Sequence, residues 1–292
     1  MAYLRFKNKI AIITGSSQGI GKATAIQLCK EGATVVLNGR NLEKLENTRI
    51  ELSSMGYNVI SIQGDVTSNY DCEKLIKETI ETFGRIDILI NNGSSTMNAK
   101  IETIQPQLFV EIFNSNAMGA LLPTLAALPH LKKSKGSVIF ISSLGGLHGL
   151  ASASAYSMGK MALTALWQSL QIELSTSGIH FGICYLSFTE NEDTKRMISA
   201  DGELIPVPKR IEFFQRSREK VAINISSMIK RRKSKAVISP LGNVTSFLMR
   251  HFPSTVLFIF IRTQKRPKQV QYEISQDQIE TINSDFLSQI KK

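Results

Sequence analysis

Lys9-Ile-Ala-Ile-Ile-Thr14-Gly15-Ser16-Ser17-Gln18-Gly19-Ile20-Gly21 is the stretch that decides the fold. A short apolar run enters a turn carrying three glycines, and a helical pattern follows (Ala23, Ala25, Ile26, Leu28) that ends near Gly32. Glycine at such a turn permits a tight bend and close approach of the backbone to an anion. The helix start supplies unpaired N–H groups and the positive end of the dipole. Ser16 and Ser17 read as additional hydroxyl donors. The spacing is Gly-x-x-x-Gly-x-Gly, and a glycine turn can also serve packing alone. Placed between a strand and a helix, it reads as a nucleotide-phosphate loop.

The same alternation continues outward. Apolar strands are expected at 33–37, at 59–62 (leading to Gly64-Asp65-Val66), at 86–90 (closed by Asn91-Asn92-Gly93), at 138–141, 179–185 and 236–239. Helical patterns lie between them: 42–52, 72–83, a long segment from about Gln107 punctuated by Pro123 and Pro129, 156–175 and 222–229. Strands alternating with helices imply βαβ units, right-handed crossovers and a parallel sheet. The expectation is a three-layer, doubly wound α/β fold with a seven-stranded parallel sheet and a C-terminal helical extension. Its limits are residues 1–240 for the nucleotide-binding domain, with 188–220 as a long mobile lid, and 241–292 for the extension.

Ser143, Tyr156 and Lys160 carry the chemistry. Tyr156 and Lys160 are four apart, so on a helix they share one face. An ammonium beside a phenol favours the phenolate and makes the tyrosine a usable acid or base near neutral pH. Ser143 closes the 138–141 strand, where open α/β sheets place their sites. Alone, this spacing also fits an ordinary surface helix; the glycine loop elsewhere in the chain gives it weight. The second strand ends Leu37-Asn38-Gly39-Arg40, with no acid to hold a ribose 2′-hydroxyl. Arg40 can pair with a 2′-phosphate instead, so NADP(H) is the expected coenzyme.

Taken together, these motifs resemble the short-chain dehydrogenase/reductase family over about residues 8–240. Thr14 to Gly21 is similar to its coenzyme loop, Asp65-Val66 to its adenine-contacting pair, and Asn91-Asn92-Gly93-Ser94 to its Asn-Asn-Ala-Gly turn. Asn116, Ser143, Tyr156 and Lys160 match its tetrad in order and spacing. The resemblance implies hydride exchange between NADP(H) and a carbonyl or secondary alcohol. Tyr156 would move the proton, Lys160 would hold the ribose and prime Tyr156, Ser143 would orient the reacting oxygen, and Asn116 would anchor a relay water. Ser142 is expected to face the other way, because strand side chains alternate. The coenzyme set implied is Gly15, Ser16, Ser17, Gln18, Gly19, Ile20, Gly21, Arg40, Asp65, Val66, Asn92, Gly93, Ser94, Tyr156, Lys160, Ser187 and Thr189. One departure stands out: Leu186-Ser187 replaces the family's Pro-Gly after the sixth strand, where Ser187 would adopt positive φ at a cost. A catalytically silent coenzyme-binding scaffold is the rival that this departure suggests.

Composition closes off other classes. Cys29, Cys72 and Cys184 are far apart, and His130, His148, His180 and His251 show no ligand spacing, so neither disulfides nor a metal is expected. Reduced, cytoplasmic chemistry fits. The first residues, Met1 to Lys9, lack the apolar stretch of a secretion signal. The net charge is +11, and between Lys209 and Lys235 ten basic residues face two acidic ones. No nucleic-acid partner is expected, since neither aromatic interleaving nor a recognition module accompanies this charge. The apolar stretches around Phe247 and from Thr255 to Ile261, flanked by Arg250, Arg262, Lys265 and Arg266, leave two placements open. One is an anionic membrane surface, as in family members that reduce lipophilic steroid or sphingoid ketones. The other is packing on the core or a second subunit. Residues 269–292 read as a loose helix or a disordered end. Lipophilic substrate and peripheral membrane attachment are the resulting expectations; a homodimer through the helices carrying Asn116 and Tyr156 is what the family resemblance implies.

Overall fold

The computed structural model describes residues 4–190, 192, 195–208, 215–238 and 240–264. Its strands are β1 (Ile10–Ile13), β2 (Thr34–Gly39), β3 (Val59–Gln63), β4 (Ile88–Asn91), β5 (Ser137–Ser143), β6 (His180–Leu186), β7 (Arg196–Ile198), β8 (Leu204–Pro206) and β9 (Lys235–Ile238). Its helices are α1 (Gly19–Lys30), α2 (Leu42–Ser54), α3 (Asn69–Phe83), α4 (Pro106–Asn116), α5 (Met118–Ser134), α6 (Ser154–Glu173), α7 (Arg218–Lys230), α8 (Pro240–His251) and α9 (Pro253–Gln264). Seven strands form one parallel sheet in the order β3-β2-β1-β4-β5-β6-β9.

The unbroken apolar runs are those of parallel strands covered on both faces. Alternation along β1 splits its side chains between two cores. Ala11 and Ile13 pack with Leu28, Leu45 and Ile225 of α1, α2 and α7. Ile10 and Ile12 pack with Leu75, Leu131 and Leu163 of α3, α5 and α6. The expected three layers and seven parallel strands are therefore present.

Several local features differ from the sequence reading. The long segment after Gln107 divides at Ala117 into α4 and α5. Pro123 and Pro129 lie inside α5 rather than breaking it. Each removes one backbone bond, and burial of Ala120, Ala127 and Leu131 holds the helix together. α3 begins three residues before Cys72, because the Ser68 hydroxyl accepts from the Asp71 amide. The lid segment holds a β7–β8 antiparallel hairpin, tied to the body by a bridge from Ile198 to Met97.

At the N-terminal strand ends, the carboxylate of Asp87 takes the Ile10 amide, the Lys9 ammonium at 2.9 Å and a fork from Arg85. The chain forms two compact units, 1–251 and 252–292. α8 belongs to the first and carries Val244, Phe247 and Leu248 exposed. α9 belongs to the second and exposes Leu257, Phe258, Ile259 and Ile261. No single helix among the described residues is long and apolar enough to cross a membrane. The expectations for Met1 to Tyr3, Asn191, Lys209, Arg210, Glu212, Ser239, Lys265, Arg266 and 269–292 lie outside the described residues.

Candidate active site

β1 and β4 are neighbours, yet the chain leaves β1 towards β2 and leaves β4 towards β5, so a crevice opens at their C-terminal ends. The glycine loop and the Asn92 turn meet there. The Thr14 hydroxyl accepts from the Asn92 and Gly93 amides, both at 3.0 Å. The Asn92 side chain donates to the carbonyls of Thr14 at 3.0 Å and Gly15 at 2.9 Å. Asn92 thus shapes the loop. A Cβ on Gly15 would lie 2.8 Å from the Gly93 Cα, and one on Gly21 would overlap the Gly15 carbonyl. Gly19 shares the φ of +61° with Gly15, but a Cβ there would meet nothing within 4 Å. The first and last glycines serve packing, and the middle one leaves open space before the helix start. That cradle fits the diphosphate of a dinucleotide.

Ser16 does not serve as the expected donor into the crevice. It is fully buried, donating to the Ile13 carbonyl at 2.8 Å and accepting from the Asn38 amide, so it ties β1 to β2. The Ser17 carbonyl accepts from Thr48, and Gln18 is the uncapped N-cap of α1. Ile20 packs on the core. At the end of β2, Arg40 is exposed and lies 3.7 Å from Asp65. Asp65 also accepts from Thr67, while Val66 packs beneath Gly93 and Gly119. Ser94 is exposed beyond the turn.

The four tetrad residues come from three elements. Ser143 closes β5, its hydroxyl accepting from the Gly145 amide at 3.2 Å. Ser142 points the other way, into a buried contact with the Lys160 carbonyl, as strand alternation requires. Tyr156 and Lys160 lie on α6, with the Lys160 Nζ 5.7 Å from the Tyr156 ring centroid. Lys160 is buried and donates to the Ile141 carbonyl at 3.0 Å. Burial first, and nearby Lys195 second, push its pKa down to about 7. Asn116 closes α4, donating to the carbonyls of Ser95 and Ile112, both at 2.8 Å. Its buried Oδ1 makes no hydrogen bond, an unused acceptor of the kind a relay water would fill.

Four features were not foreseen from sequence. Gly159 lets α4 touch α6, since a Cβ there would stand 2.5 Å from the Asn116 Cβ. A glycine inside a strong helical pattern, between two candidate site residues, was the available signal. Ser95 positions Asn116. Glu192 accepts from the Gly19 amide at 2.9 Å and pairs with Arg218. Lys195 approaches Lys160. Neither lid residue has a local sequence signal, because Glu192 stands 173 residues from Gly19.

Ser187 is not in the left-handed region, so the strain expected of it does not arise. Its hydroxyl donates to the Ile238 carbonyl at 3.2 Å, and the buried Thr189 bridges to Arg216. Cys29 and Cys72 are buried, and desolvation drives both thiols up to about 12, so neither is a ready nucleophile.

A family model for short chain dehydrogenases matches residues 9–201. An uncharacterized oxidoreductase of Staphylococcus aureus (strain MW2) is 39% identical over 173 residues, 59% of this chain and 74% of that protein. The protein 11-beta-hydroxysteroid dehydrogenase-like 2 of Arabidopsis thaliana is 38% identical over 180 residues, 60% of this chain and 58% of its own length. The chain thus spans less than two thirds of that plant relative. Among solved structures, a metagenomic short-chain oxidoreductase in complex with NADP superposes with a TM-score of 0.67 at 23% identity, covering 81% of this chain and 99% of that one. A short chain dehydrogenase/reductase from Burkholderia phymatum in complex with NAD gives 0.75 at 20% identity, covering 87% and 96%. With the glycine cradle, the ordered tetrad and the seven-stranded sheet in place, the chain belongs to the short-chain dehydrogenase family.

Proposed function

We propose that the protein interconverts a ketone and a secondary alcohol with NADP(H), on a lipophilic substrate. The observation that carries this is the surroundings of Tyr156. It packs against a buried apolar cluster of Met97, Ala99, Ile104, Ile112 and Ala155, on which Leu108, Phe109, Ala153, Ile198 and Ala200 also pack. An acid–base phenol walled by apolar side chains suits a carbonyl flanked by hydrocarbon. Ile198 and Ala200 come from the lid segment, which supports its role as a substrate cover.

The bound coenzyme supplies or accepts the hydride. Gly19 and the start of α1 would hold its diphosphate. Arg40, with no carboxylate at 38 or 39 beside it, favours the 2′-phosphate. Tyr156 gives the proton to the substrate oxygen, Ser143 holds that oxygen, and Lys160 holds the ribose hydroxyls. Asn116 offers its free Oδ1 to the water that refills the proton. NADPH and NADH oxidation over a panel of apolar ketones tests the reading, with Tyr156→Phe as control. Coenzyme binding without turnover of any ketone would favour the scaffold reading instead.

A second reading concerns location. No acidic residue occurs between Glu219 and Glu273, while eleven lysines and arginines do. With the apolar side chains exposed on α8 and on α9, this supports attachment to an anionic bilayer surface, at about 1 kcal/mol per basic residue near the lipid. Flotation with phosphatidylserine vesicles at low salt is the check, and absence of binding there overturns it. Val110 on α4 and Met158 and Met161 on α6, all exposed, support a homodimer through those helices, which light scattering would detect.

A further inference from the structure

The start of α1 already holds an anion. Gln18, its N-cap, offers no side-chain cap, and its first turn has no acidic residue. The first helical amide, on Gly19, instead donates to the Glu192 carboxylate at 2.9 Å. The other partner of that carboxylate is Arg218, the first residue of α7. Arg218 is held from below. Val221 and Ile225 of α7 pack in the same core as Ala25 and Leu28 of α1, and Ser226 donates to the buried Glu31 at the end of α1, at 2.7 Å. The Arg218 guanidinium therefore stands one carboxylate away from the Gly19 amide. Its Nε is buried and makes no hydrogen bond, so the side chain retains an unspent donor.

Resting on the coenzyme site proposed above, we infer that Glu192 is an internal competitor for the diphosphate position, and that Arg218 is a coenzyme-phosphate ligand which Glu192 pairs until the coenzyme displaces it. A carboxylate and a diphosphate cannot share one amide, and two anions at one helix start repel. Glu192 belongs to the lid segment, far in sequence from the helix it caps, and can leave. Arg218 is fixed by α7 and remains. Its guanidinium then meets the incoming phosphate in a charge-assisted bond. Glutamate pairing keeps a cation at the site and lowers affinity together, so that coenzyme binding and lid position become linked.

The test is NADPH affinity, read by fluorescence titration and calorimetry on the full chain, independent of turnover. Glu192→Ala is expected to tighten binding about three- to tenfold. Glu192→Gln, which keeps an acceptor for Gly19 without the charge, should fall between. Adding Arg218→Ala to Glu192→Ala should weaken binding about tenfold relative to the single variant. Unchanged or weaker binding in both Glu192 variants overturns the inference alone. No binding of NADPH or NADH by wild type or by Glu192→Ala overturns it together with the reading it rests on.

Discussion

Burial decides the charge on Lys160. An exposed lysine keeps its proton to about pH 10.4, whereas this one loses it near pH 7 because it has been withdrawn from water. Between those values the folded protein holds a neutral amine and the unfolded chain a cation. The stability penalty therefore grows as pH falls from about 10.4 to about 7, and is constant below. An anionic coenzyme raises the pKa again, so NADPH binding at pH 8.5 should take up a proton, and at pH 5.5 should not. Calorimetry in two buffers of different ionisation heat reads this directly; equal heats at pH 8.5 would show that Lys160 does not change its charge on binding. Tyr156→Phe keeps the ring in its apolar wall and deletes the proton. It should cost about 10²- to 10⁴-fold in turnover with little change in melting temperature. The spacing of these residues made them candidates in the sequence, but the neutralising burial of Lys160 was not legible there, since it depends on β5 and the lid arriving over α6.

Helix α6 reaches its partner through one missing side chain. Glycine to alanine in an exposed helix interior ordinarily stabilises by about 1 kcal/mol. At Gly159 the sign should reverse, because the new methyl would stand 2.5 Å from the Asn116 Cβ and 3.1 Å from the Phe113 carbonyl. Gly159→Ala is expected to destabilise by about 1–3 kcal/mol by overpacking. It should also reduce turnover, since Asn116 moves with α4. Urea denaturation gives the first number, and an increase in stability would mean that the two helices slide apart freely. Strand and helix existence was legible from periodicity throughout the sheet. The α4–α5 break at Ala117 and the β7–β8 hairpin were not, because each answers to a distant contact. Asn116 bonds to Ser95 across from α4, and Ile198 pairs with Met97.

For the molecule as a whole, the two ends of the sheet do different work. The C-terminal strand ends hold the crevice, and the N-terminal ends are fastened at Asp87. Burial pushes that carboxyl up, but Arg85, Lys9 and the Ile10 amide outweigh it and hold the pKa below the usual carboxylate range. The resulting stability is present above about pH 4 and is lost as pH falls through the depressed value. Asp87→Ala should cost about 1–3 kcal/mol at neutral pH, because the half-exposed Lys9 and Arg85 regain water while the buried Ile10 amide loses its acceptor. It should also flatten the fall in stability below pH 4, and urea midpoints from pH 2 to 7 would show both effects.

By itself the sequence determined the α/β class, the seven strands and the glycine loop, and it nominated Asn116, Ser143, Tyr156 and Lys160 as the candidate tetrad. Local patterns carry that information, because period and spacing are properties of neighbouring residues. Only the tertiary structure decided that Ser16 ties strands together, that Asn92 clamps the glycine loop, and that Glu192 and Arg218 meet at Gly19. Those contacts join residues far apart in the chain, and no local pattern encodes which distant side chain a crevice will bring to a given amide.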